Sequence, residues 1–180
     1  MATHIVLLRG INVGGKRKLP MAGLKQLLTK LGCTDVRTYV QSGNAVLEHP
    51  DKPNVLAQRI AAGIEKQFDL DVPTQVLTAK QVKDIIAKNP FTKEKGIDLA
   101  KLHVTFLDSA PKAADVAAIA EGNYDTDRFS VDGNVVYLHC PVDYGHTKLN
   151  NTFFEKKLKV GATTRNWRTV NQLLGISAQG

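Results

Sequence analysis

The amino-acid sequence predicts an α+β protein made of two βαββαβ units in tandem, with mainly antiparallel sheets and extra helices after the first unit and at the C-terminus. Three observations carry this expectation. Apolar periodicity runs strand, helix, strand, strand, helix, strand as far as Leu77, and a run of the same kind begins again at Leu102. The hairpin segments match: Ser42-Gly43-Asn44-Ala45-Val46 resembles Asp132-Gly133-Asn134-Val135-Val136, and each outgoing strand soon meets a proline, Pro50 or Pro141. Between the halves, Phe91 to Ala100 is polar and irregular, which sets the units at residues 1–95 and 96–180.

His4 to Arg9 places apolar residues on both alternating faces, the pattern of a central strand covered on both sides. After the loop Gly10 to Leu19, Pro20 opens a helix in which Met21, Leu24, Leu27, Leu28 and Leu31 recur at helical spacing, with Gly32 as its stop. Val36–Gln41 and Asn44–Glu48 read as a hairpin turning at Ser42-Gly43. Asp51 and Pro53 start a second helix with Leu56, Ile60, Ile64 and Phe68 on one face, and Val72–Leu77 is the next strand. Thr78 and Gln81 form a capping-box pattern for the extra helix, which Asn89-Pro90 ends.

In the second half, Leu102–Leu107 is a strand and an alanine-rich helix follows Pro111, presenting Val116 and Ile119. Strands near Arg128–Val131 and Asn134–Cys140 flank Asp132-Gly133, the strongest hairpin signal in the chain. Helices are expected from about Leu149 to Val160 and from Asn166 to Leu174, the latter capped by Gly175. Ala162-Thr163-Thr164 is too short to stand as the last strand.

The chain has 180 residues, 43% of them hydrophobic, as expected for a globular fold. The apolar run Ile5–Leu8 is short, interrupted by Arg9 and without a basic leader, and no stretch approaches the roughly 20 apolar residues that span a bilayer. A cytoplasmic protein without a membrane partner is expected. Cys33 and Cys140 lack metal or redox spacing and read as reduced, partly buried thiols; no metal or cofactor is called for.

The net charge of +7 is unevenly spread. Residues 1–34 carry +6 and residues 156–180 carry +5, both without an acid, leaving −4 in the middle. Should the fold bring the basic ends together, their fields add over one surface and favour a phosphate or polyanion. The opposing reading is two ordinary solvated basic segments.

Gly10–Lys16 formally satisfies GxxxxGK, but Arg17 stands where a P-loop needs Ser or Thr, and the helix starts too late to meet the lysine. Leu102–Asp108 imitates a Walker B strand, which has no meaning in a mostly antiparallel fold. A sounder reading is an anion-binding nest, with Gly14 and Gly15 allowing backbone N–H groups to converge while Arg9 and Lys16 supply charge. Gln41-Ser42-Gly43-Asn44 either projects polar groups toward that loop or simply makes the turn. Thr163-Thr164-Arg165-Asn166-Trp167 places a capping Thr, a cation and the tryptophan at a helix start, with Trp167 on the core-facing stripe. His103, His139 and His146 have no metal-ligand spacing and no assignable nucleophile beside them.

The segments Leu7-Leu8-Arg9-Gly10-Ile11-Asn12-Val13-Gly14-Gly15, Tyr39-Val40-Gln41-Ser42-Gly43-Asn44, Lys148-Leu149 and Thr164-Arg165-Asn166-Trp167-Arg168-Thr169-Val170 resemble the bacterial domain of unknown function family 1697. The resemblance covers nearly the whole chain and implies a duplicated ferredoxin-like arrangement, without fixing an activity. It departs from the family at His146 and Thr147, beside the lysine of the second motif. The expected function is binding of a phosphorylated or otherwise anionic ligand, a nucleotide-like metabolite or RNA. Arg9, Lys16, Lys148 and Arg165 would hold it, and Asn12, Gly14, Gly15, Ser42, Asn44 and Asn166 would supply polar contacts. RNA contact would be mainly electrostatic, because Ile5–Leu8 and Asn44–Glu48 lack aromatic residues for base stacking. The alternative is a small-molecule enzyme using the same basic pocket, with Lys148 or a carboxylate as general base.

Overall fold

A computed structural model describes all residues, Met1–Gly180. It is an α+β structure with two four-stranded antiparallel sheets and six helices. The chain divides into two compact units, one of Met1–Asp84 with Gln172–Gly180, the other of Ile85–Asn171.

The first unit contains β1 (Ala2–Leu8), α1 (Met21–Lys30), β2 (Thr34–Tyr39), β3 (Asn44–His49), α2 (Pro53–Phe68) and β4 (Thr74–Thr78). Its strands lie in the order β2-β3-β1-β4, with Ile5 opposite Val46 and Leu77 in the central register. Ile5, Val6, Leu7 and Leu8 are all buried, as a strand covered on both faces requires. Val6, Leu8, Ala45 and Leu47 pack against Leu24 and Leu28 of α1 and Leu56, Ile60 and Ile64 of α2. Each of the valine, leucine and isoleucine side chains contributes about 1.5–3 kcal/mol by leaving water.

The helix ends follow local chemistry. Gly32, at φ 92°, closes α1 in a Schellman arrangement: its N–H donates to Thr29 O at 3.0 Å, and Cys33 N–H donates to Leu28 O at 3.1 Å. Pro53 begins α2. Thr78 and Gln81 form the predicted capping box of α3 (Ala79–Ala87): Gln81 N–H donates to Thr78 Oγ1 at 3.1 Å and Thr78 N–H to Gln81 Oε1 at 2.8 Å.

The second unit opens with two single 3₁₀ turns, Phe91–Lys93 and Leu99–Lys101, in the segment expected to be irregular. There follow β5 (Leu102–Leu107), α4 (Ala113–Ala120), β6 (Arg128–Asp132), β7 (Val135–His139), α5 (Asn151–Leu158), β8 (Ala162–Asn166) and α6 (Trp167–Ser177), with α6 from Gln172 onward belonging to the first unit. The sheet order is β6-β7-β5-β8. Its helix-facing core gathers Leu107, Val136, Leu138, Cys140, Leu149, Phe154, Leu158 and Ala162.

Four expectations are corrected. The last strand does exist: β8 pairs with β5 from His103↔Asn166 to Leu107↔Ala162, and this long-range pairing stabilises a polar segment that local pattern does not mark as strand. The hairpin turns at Gly133-Asn134 rather than Asp132-Gly133, because Asp132 pairs with Val135 and Gly133, at φ 58°, takes the first central position of a II′-like turn. The α5 helix starts at Asn151, where Asn150 caps it by accepting from Phe153 N–H at 2.9 Å. Gly175 lies inside α6, which continues to Ser177; the carbonyl of Ile176 accepts from Arg37 Nη1 at 2.8 Å, anchoring the turn beyond the glycine.

Candidate functional site

At the C-terminal end of β1 the central strand gains one further rung on each side. Leu8 N–H donates to Gly43 O at 2.8 Å, and Arg9 N–H donates to Pro73 O at 3.0 Å. The loop Arg9–Pro20, the β2–β3 turn and the segment before β4 are thereby held at one end of the first sheet. Gly43 is required there: its φ is 86°, and an added Cβ would stand 2.7 Å from Ile11 Cδ1 and 2.8 Å from Leu8 Cβ.

Asn12 closes the long loop. Its Oδ1 accepts from Leu19 N–H at 2.8 Å, while its Nδ2 donates to Leu19 O at 2.9 Å and to Gln41 O at 2.8 Å. Ile11 and Leu19 are buried at the roots of the loop. Between them, Asn12 N–H donates to Arg17 O at 3.1 Å and Lys16 N–H to Val13 O at 3.0 Å, making a small two-stranded finger. Gly14 and Gly15, at φ 57° and 73°, form its tip.

That geometry corrects the nest reading. Two consecutive left-handed residues make a I′-type hairpin turn, and the Lys16 N–H that would join a nest is already spent on Val13 O. The diglycine thus shapes an exposed finger carrying Lys16, Arg17 and Lys18, with Val13 exposed at its side. Lys16 precedes the first residue of α1 by five positions, far from P-loop geometry.

Behind the finger lies a pocket of about 390 Å³ lined by Arg9, Gly10, Arg17, Asp71 and Pro73. Arg17 Nη2 donates to the carbonyl of Asp71, tying the finger to the segment before β4. Arg17 was not among the residues nominated from the sequence; the run Lys16-Arg17-Lys18 was the available signal, but only the fold shows which cation faces the pocket. Asn44 is buried and clamps the hairpin turn, its Nδ2 donating to Ser42 Oγ at 2.9 Å and to Tyr39 O at 3.1 Å. Asn12 and Asn44 are therefore positioning residues whose amides hold the loops that carry the cations.

The remaining nominated residues belong to the second unit. Lys148 Nζ pairs with Asp125 Oδ2 at 3.1 Å, an exposed ion pair of little energetic weight. Arg165 sits on β8 opposite Val104, donates from Nη1 to Thr164 O at 3.0 Å, and is pushed down to about 10 by burial, still charged at neutral pH. Asn166, rather than a threonine, caps α6, its Oδ1 accepting from Thr169 N–H at 2.8 Å. Thr164 instead joins a chain of hydroxyl bonds, 2.7 Å to Thr105 Oγ1 and 2.7 Å to Asn151 Oδ1. Trp167 is buried, as its place on the apolar stripe predicts.

His103 stacks on Tyr144 with ring centroids 4.3 Å apart, and burial lowers its pKa. His146 Nδ1 lies 2.5 Å from Asp143 Oδ2 on the surface. Cys33 and Cys140 are free and buried, and burial raises both thiols to about 11, outside the range of an activated nucleophile.

Comparison with solved structures finds the conserved bacterial protein SP0830 from Streptococcus pneumoniae, with a TM-score of 0.72 and 22% sequence identity over 98% of both chains. At that identity the likeness is one of fold. Comparison with curated proteins gives no match. The family model described as "Protein of unknown function (DUF1697)" matches residues 1–137, a span that contains the long basic loop, its pocket and β6 and ends within β7. With three quarters of its length matched, the chain belongs to the DUF1697 family of proteins of unknown function.

Proposed function

We propose that the protein is a binding module for a phosphorylated or otherwise anionic ligand, a nucleotide-like metabolite or RNA, held at the basic end of the first sheet. The observation that carries this reading is a difference in loop length. From central strand to first helix the chain takes twelve residues in the first unit, Arg9–Pro20, and five in the second, Asp108–Lys112. Five residues suffice for the connection, so the additional length serves something other than connectivity. It brings Lys16, Arg17 and Lys18 into the finger and sets Arg17 beside Arg9 in the pocket wall.

The two joints are otherwise built alike. In the second unit Leu107 N–H donates to Asn134 O at 2.9 Å and Asp108 N–H to Gly161 O at 3.0 Å, matching the bonds of Leu8 and Arg9. Asp108 occupies the position of Arg9, and its carboxylate accepts from Gly161 N–H at 2.9 Å and from Ser109 Oγ at 3.2 Å. This correspondence supports, within the same proposal, a tandem pair of ferredoxin-like βαββαβ subdomains produced by duplication, one keeping a cation at the joint and the other satisfying its carboxylate locally. Guanidinium groups suit the reading because their planar forks match phosphate oxygens. Lys148, Arg165 and Asn166, all on the second unit, are proposed as anion contacts of that unit by itself, and a cytoplasmic setting is part of the proposal.

Calorimetric titration at low salt with inorganic phosphate, nucleotides and single-stranded RNA tests the reading. Binding that weakens with added salt is expected. Arg9→Gln and Arg17→Gln should each weaken it about tenfold, the loss of one charge-assisted contact. Absence of binding to every one of these anions would overturn it.

A further inference from the structure

The outer edge of the second sheet carries a separate site. β6 pairs with β7 alone. A two-residue loop joins them, so Asp132 and Val135 form a hydrogen-bonded pair, as do Ser130 with Tyr137 and Arg128 with His139. The alternation turns the backbone N–H and C=O groups of Phe129 and Val131 outward, where no further strand pairs with them.

Beside this edge runs a groove of about 760 Å³, with Phe129 and Val131 on the strand side and Val116 and Ala120 of α4 on the other. The loop after α4 closes one flank. Tyr124 anchors that loop by donating from its hydroxyl to Ile119 O at 2.6 Å, and its ring meets Phe129 edge-on at 5.6 Å. A Cβ at Gly122 would stand 2.2 Å from the Tyr124 hydroxyl oxygen, so a side chain there would displace the Tyr124 ring.

Acidic residues outnumber basic ones along this stretch of chain: Asp125 and Asp127 line the groove with Arg128, and Asp125 also pairs with Lys148. Residues 121–143 contain Glu121, Asp125, Asp127, Asp132 and Asp143 against a single lysine or arginine, Arg128. Arg128 is already matched, donating to both carboxylate oxygens of Glu94 at 3.0 and 2.7 Å with its guanidinium over Phe91.

We propose that this edge is a docking site for an extended basic peptide of a partner protein, which adds a strand to β6. Unpaired main-chain groups beside a strand–helix groove are the physical requirement for strand addition: the ladder supplies affinity, and alternate side chains entering the groove supply selectivity. The polar backbone along one wall favours a peptide over a small apolar molecule, and the acidic surroundings favour basic flanks over a polyanion. The site is independent of the anion-binding reading and stands if that reading fails.

The test uses the full chain, followed by amide-resolved NMR, and a capped peptide of alternating valine and threonine flanked by lysines. Expected are shifts and slowed hydrogen exchange at Phe129 and Val131. The same peptide N-methylated at the amides that face β6 should bind about tenfold more weakly or worse, as should a glutamate-flanked version. Val131→Pro, which removes one outward N–H and leaves the ladder to β7, should give a similar loss in a chain whose amide spectrum stays that of the folded protein; because Val131 also packs on the core, some fall in melting temperature accompanies it. Equal binding of the N-methylated peptide would overturn the proposal. So would shifts confined to other surfaces, or self-association through the same amides without peptide, which would make a second copy the occupant.

Discussion

Gly43 shows how a single position fixes the basic end of the first sheet. Any side chain there meets Ile11 and Leu8 within 3 Å and must also adopt a left-handed backbone. Gly43→Ala is expected to cost at least about 2 kcal/mol, combining backbone strain with a clash against two core side chains, as measured by urea denaturation. Gly15 has an equally positive φ but open space around it, so Gly15→Ala should cost only about 1 kcal/mol and mainly disturb the finger. The sequence marks both as turn glycines and does not distinguish them, because the difference lies in what a distant loop places beside each Cβ.

His4 gives the expected dependence on pH. It is buried, its Nε2 lies 3.2 Å from His49 O, its Nδ1 has no partner, and burial lowers its pKa below 6.5. Folding therefore favours the neutral ring, and its contribution is complete above the unfolded pKa of about 6.5 and lost as pH falls through the lower folded value. His103, lowered by the same cause, acts in the same direction. The urea midpoint should fall between pH 8 and pH 5, and His4→Gln should reduce that change; an unaltered slope in the variant would remove His4 as its source.

At the scale of elements, the segments whose local chemistry agrees with their tertiary surroundings were legible. The α3 capping box could be read from Thr78 and Gln81 because both partners lie within one turn. Thr78→Ala should lower stability by about 1 kcal/mol without altering ligand binding, measurable by thermal unfolding alongside titration. β8 is not legible because Ala162 and the four polar residues after it acquire strand character only through β5. The hairpin at Gly133 was placed one residue early because an Asp-Gly pair ordinarily signals a I′ turn, whereas the pairing of Asp132 with Val135 puts glycine first.

Across the whole molecule, the strand and helix order emerged from periodicity, while the candidate site emerged only in part. Charge and glycine content single out the loop after β1, with Arg9 and Lys16 as its cations and the diglycine as a nest. Arg17 lines the pocket wall beside Arg9 and the diglycine is a turn, a distinction set by the backbone bonds of the finger, Asn12 N–H to Arg17 O and Lys16 N–H to Val13 O. A sequence can display which cations are available; which of them shares a cavity depends on residues up to Asp71 and Pro73.

The buried thiols have an experimental use. Cys33 belongs to the apolar cluster of the first unit and Cys140 to that of the second, and both resist ionisation near neutrality. Alkylation of either sulfur in the native protein must await an opening event, so each cysteine acts as an internal clock for the structure around it. Two matching labelling rates would report a chain that breathes cooperatively, and two different rates would assign a separate opening free energy to each half.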